Sequence, residues 1–83
     1  MSDRLRGYVM QLNNYYQRHH IPPQSYIRYS ESLPVGGRGD QCVATVTLLN
    51  YQPPAIYTGY GVGKQSAKEA AACNALRALG QLP

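Results

Sequence analysis

Eighty-three residues, with eight Lys and Arg against four Asp and Glu for a net charge of +4, suit one small domain around a modest core. No apolar run is long enough to span a bilayer, and no charged-then-apolar leader is visible, so a soluble intracellular chain, cytoplasmic and/or nuclear, is expected. The mild basic excess suits a polyanionic partner without requiring one.

The first predicted element is a helix over about residues 3–19, capped by Ser2 or Asp3. Leu5, Val9, Leu12 and Tyr16 share one stripe at helical spacing, with Tyr8 and Tyr15 beside it. Arg6, Met10, Asn14 and Gln17 fall on the opposite stripe. Gly7 weakens the first turn by about 1 kcal/mol relative to alanine, which favours a later start. Pro22 and Pro23 bar continuation.

Residues 26–31 (Tyr-Ile-Arg-Tyr-Ser-Glu) read as a short strand, and residues 32–40, with three glycines and one proline, as a long loop. Residues 41–49 form the strongest strand, rich in β-branched side chains. Cys42, Ala44, Val46 and Leu48 line one of its faces; Val43, Thr45 and Thr47 line the other. Residues 50–54 turn the chain, since two prolines exclude a sheet centre. A third short strand covers residues 55–58.

A glycine-rich bend over residues 59–63 then delivers Lys64 and Lys68 to the first turn of an alanine-rich helix, about residues 64–79. That turn carries unpaired N–H groups and the positive end of the helix dipole, a natural seat for phosphate. Ala71, Ala72, Ala75, Leu76 and Leu79 share its packing side. Glu69, Cys73 and Arg77 fall on the outer side, which leaves Cys73 partly exposed. Gly80 stops the helix. The order α-β-β-β-α predicts an α+β fold, with both helices on one face of a three-stranded antiparallel sheet. One domain spans residues 1–83, its core running from about 5 to 80.

Nucleotide loops are excluded by spacing. Thr58 stands where a Walker A loop needs its first glycine, and Gln65 replaces the hydroxyl residue after the lysine. The dinucleotide spacing fails too, with no βαβ context. Catalysis is not expected: Asp3, Glu31, Asp40 and Glu69 form no carboxylate cluster, and no nucleophile stands beside a base. His19-His20 lacks the spacing of a zinc site. No cofactor, metal or small-molecule substrate is expected. All eight aromatics are tyrosines, read as margins of the core with hydroxyls reaching water or a carbonyl. Cys42 and Cys73 read as ordinary thiols unless the fold brings them together.

Gly59, Gly61, Gly63, Lys64, Gln65, Ala67, Lys68, Ala71, Ala72, Ala75 and Leu76 fall, without insertion, on a strand followed by G-x-G-x-(S)-K-K-x-A-K-x-x-A-A-x-x-A-L. Upstream, Leu12-Asn-Asn-Tyr15, Ile21-Pro22 and Tyr26 match the same pattern. In these motifs the chain resembles the double-stranded-RNA-binding domain over nearly its whole length. The resemblance implies contacts with an A-form duplex across two minor grooves and the intervening phosphates, over roughly 16 bp. Carried over by position, Met10 and Asn14 meet the first minor groove, which accounts for a methionine on a polar stripe. Pro34 and Arg38 lie in the loop that would enter the next groove; the histidine of the family's G-P-x-H is missing, and Arg38 is its substitute. Lys64, Gln65 and Lys68 would meet phosphates, with Gln65 uncharged where the family carries its middle lysine.

The implied function is shape-based, largely sequence-independent binding of double-stranded RNA, in RNA processing or RNA silencing. Relatives are often appended to RNA-processing enzymes. The alternative is a protein-interaction or dimerisation module on the same fold, paired with another such domain or with itself. Exposed tyrosine or valine on the outer face of the sheet favours that alternative.

Overall fold

The computed structural model describes residues 7–32 and 41–81. Helix α1 covers Tyr8–Arg18. It starts at Tyr8 because Gly7 lies at φ 84°, left-handed backbone that glycine adopts without strain. The expected caps Ser2 and Asp3 lie outside the described residues. After α1 the chain turns through His19 and His20 to Pro22. Pro23 then opens a second, short helix, α2 (Pro23–Tyr26), as prolines do at a first helical position. Tyr26 therefore closes a helix instead of opening a strand.

Strands β1 (Ile27–Ser32), β2 (Gln41–Leu48) and β3 (Ala55–Val62) form an antiparallel sheet in the order β1-β2-β3. Ile27 pairs with Leu48 and Ser32 with Val43; Gln41 pairs with Val62 and Leu48 with Ala55. β3 is twice the expected length. It runs on through Gly59 and Gly61, so the glycine-rich stretch is strand up to Val62 and turns only at Gly63, at φ 86°. The two strand glycines serve close approach. A Cβ on Gly59 would collide with the Ala71 amide nitrogen, and one on Gly61 would lie 2.8 Å from the backbone of Ser66.

Helix α3 covers Lys64–Ala78 and lies on β3 and β2, while α1 packs on α3. The α-β-β-β-α architecture is thus as expected, with α2 added. Cys42, Ala44, Val46 and Leu48 project into the core, as their alternation predicts, to meet Ala67, Ala71, Ala72, Ala75 and Leu76 of α3. Leu12 and Tyr16 close the core from α1. Cys73 is buried, contrary to the expected outer position, and both thiols are free. No described helix is long and apolar enough to cross a membrane.

Candidate functional site

At the start of α1, Gly7 offers no capping side chain. The cap comes from 61 residues away. Glu69, only 7% exposed, accepts the Tyr8 N–H at 2.7 Å and the Val9 N–H at 3.0 Å through Oε1. A carboxylate there satisfies two orphan donors and meets the positive end of the helix dipole. Its other oxygen, Oε2, accepts from Gln65 Nε2 at 2.9 Å. Glu69 therefore faces inward, not outward, and fixes the α3 tip against α1.

This contact brings two of the expected binding residues, Met10 and Gln65, together. Met10 is 65% exposed and shares a groove of about 520 Å³ with Gly7, Val9, Asn13, Gln65 and Glu69. Asn14 is exposed one turn on, in a separate depression beside Gln11, Arg18 and Gln81. Lys64 and Gln65 are exposed at the α3 tip, which begins at Gly63 with no side-chain cap. Pro34 and Arg38 lie outside the described residues.

Lys68 points elsewhere. Its Nζ lies 3.4 Å from Glu31 Oε2 and 5.6 Å from the centre of the Tyr29 ring, so it leans back over β1. Among the described residues, two lysines and two carboxylates, Glu69 and Glu31 of β1, thus gather at the α3 tip and are close to neutral in sum. Tyr29 packs in the same place. Its hydroxyl is buried without a hydrogen-bond partner among the described residues. Burial, and then the negative charge of Glu69, push that hydroxyl's pKa up to about 12.

None of the described helices lies on the opposite face of the sheet. Alternation sends Arg28, Ser30 and Ser32 of β1, Gln41, Val43, Thr45 and Thr47 of β2, and Ile56, Thr58, Tyr60 and Val62 of β3 outward. Arg28 is the one charged residue among them. Ile56, Tyr60 and Val62 are 62%, 64% and 67% exposed, and Tyr60 sits opposite Val43 in the register. Sequence reasoning does not find this strip, because it stops the third strand at Thr58. The signal is nonetheless present: Ile56, Thr58, Tyr60 and Val62 alternate with Ala55, Tyr57, Gly59 and Gly61 once the strand passes through the glycines. Behind the strip, Asn74 of α3 donates from Nδ2 to the Thr58 carbonyl at 2.7 Å, occupying an acceptor on β3.

Among the described residues no three His, Cys, Asp or Glu side chains converge as metal ligands do. No protein-family model matches the chain, and no curated protein matches it. Among solved structures it is similar to the fifth double-stranded-RNA-binding domain of Staufen, in a crystal structure of the Miranda/Staufen complex. The two share 26% identity at a TM-score of 0.62, over 90% of this chain and 97% of that one.

Proposed function

We propose that this chain, which has the fold of the double-stranded-RNA-binding domain, works as a protein-interaction module that docks its partner on the uncovered face of the sheet. The carrying observation is the strip of Ile56, Tyr60 and Val62, each about two-thirds exposed on a face with one formal charge. Fully burying such side chains contributes about 1.5–3 kcal/mol each, so covering their exposed parts yields roughly 1–2 kcal/mol apiece. The partner this surface fits is a protein presenting an apolar, uncharged strip, because approach to that face of a +4 chain meets little charge. The Staufen domain, similar in fold, is itself held in a complex with a protein, Miranda.

Binding of double-stranded RNA is the second reading. Met10, exposed on the polar side of α1 and sharing a groove with Gln65, favours it, since groove contact gives that methionine a purpose. Against it stands the near-neutral α3 tip. Phosphate contacts dominate the affinity of nucleic-acid binders, and here one lysine of the pair is held by a carboxylate.

One experiment separates the two. A photo-crosslinking residue replaces Tyr60 in the cell, with Gln17 on the far helix as control. The reading predicts a protein adduct at position 60 alone, identified by mass and then reconstituted from purified components. Ile56→Thr with Val62→Thr keeps strand propensity and removes the apolar strip. It should weaken that complex about 30-fold, as loss of roughly 2 kcal/mol implies. A second copy of the chain as the adduct would make the module a homodimer. Absence of a protein adduct at 60, together with salt-sensitive binding of a 20-bp RNA duplex (a site of about 16 bp suffices) that is lost in Lys64→Ala/Lys68→Ala, overturns the reading in favour of RNA.

A further inference from the structure

We propose that Glu31 is a specificity-determining residue that turns polyanions away from the α3 tip by holding Lys68. The inference goes beyond the protein-docking reading and does not depend on it. Lys64 and Lys68 lie four residues apart, on one side of the first turn of α3, where two cations would span neighbouring phosphates. Only Lys64 is presented there. Lys68 Nζ is 3.4 Å from Glu31 Oε2, and both side chains are less than a third exposed, so water screens the pair only in part. The Tyr29 ring supports the ammonium from a second direction, 5.6 Å from its centre.

A phosphate reaching this tip meets two costs. To gain Lys68 it must displace a carboxylate already in place. If the pair stays intact, the phosphate sits within a few ångströms of Glu31, a like charge. Gln65 adds no charge, and one of its two amide N–H groups already donates to Glu69. The inward alternation of β1 aims Glu31 at α3 while its neighbours Ser30 and Ser32 face away, so the contact is built into the sheet register.

The test compares wild type, Glu31→Gln, Lys68→Ala and the double variant by titration with a 20-bp RNA duplex at two salt concentrations, with folding monitored by thermal melting. Glu31→Gln should bind about tenfold tighter than wild type, as removal of one nearby like charge implies. Its salt slope should steepen by about one unit, the signature of one added phosphate contact. The gain should vanish when Lys68→Ala is added. Glu31→Thr, a second neutral variant suited to a strand, should behave like Glu31→Gln and serves if that variant folds poorly. Equal affinity of wild type and the neutral variants overturns the inference, and so does a gain that persists without Lys68. Tight binding by wild type would count against the protein-docking reading alone and leaves the comparison between variants intact.

Discussion

Tyr29 carries the plainest consequence for stability at the level of one residue. Its hydroxyl is buried with no partner among the described residues, beside the negative charge of Glu69, and its pKa is pushed up to about 12 against 10.0 for a free tyrosine. The folded state therefore keeps a proton that the unfolded chain releases. The stability this confers is present in full below pH 10 and is lost as pH rises toward 12. Tyr16, shifted upward chiefly by burial, and Tyr51, shifted for the same reason, add to that alkaline loss. Tyr29→Phe should flatten the pH dependence of the urea midpoint between pH 9 and 12. At neutral pH it should leave stability unchanged or raise it by about 1 kcal/mol, because an unsatisfied buried hydroxyl is removed while the ring under Lys68 remains. A lower midpoint at neutral pH would mean that the hydroxyl has a partner.

Among the elements, the contact of α3 with β3 is the tightest. It exists because Gly59 and Gly61 present no side chain and Ala67 and Ala71 present only methyl groups. Gly59→Ala places a methyl against the Ala71 amide, which backbone cannot yield cheaply, and should cost about 3 kcal/mol in chemical denaturation. Gly63→Ala meets open space but holds φ 86° with ψ 157°, backbone essentially reserved for glycine, so it should cost about 2 kcal/mol, still less than at Gly59. The same contact explains what the sequence leaves legible. Period-two alternation at 42–48 and the small-residue face of α3 are local patterns, and both are recovered. The continuation of β3 is not. Glycine argues for a bend by its own preferences, and only the partner helix 5–12 residues further on makes it a strand residue. The exposed strip went with it, since Tyr60 and Val62 gain a face only when the strand is known to reach them. At the candidate site, the exposure of Met10, Asn14 and Lys64 follows from helical phase. The pairing of Lys68 with Glu31 does not, because it joins residues 37 apart through the sheet register.

For the molecule as a whole, two polar side-chain contacts among the described residues fasten α1 to the rest: Glu69 on the Tyr8 and Val9 amides, and the Tyr16 hydroxyl donating to Asn50 Oδ1 at 2.6 Å. Glu69→Ala removes one acceptor from two part-buried donors and should lower global stability by about 2 kcal/mol. Hydrogen exchange should speed up first at Tyr8, Val9 and the following turn of α1, with β2 changed only through the global equilibrium. Uniform acceleration across α1 and the sheet would mean that the cap does not act locally.

That cap also sets an order of events when the chain is made. Eleven residues of helix are marginal in water by themselves, and this helix brings no cap of its own. Its carboxylate is translated 61 residues later, so α1 leaves the ribosome without the group that stabilises its first turn. The element synthesised early is thus completed by the one synthesised late, and a nascent chain halted before Glu69 would display Leu12 and Tyr16 to chaperones as unburied surface.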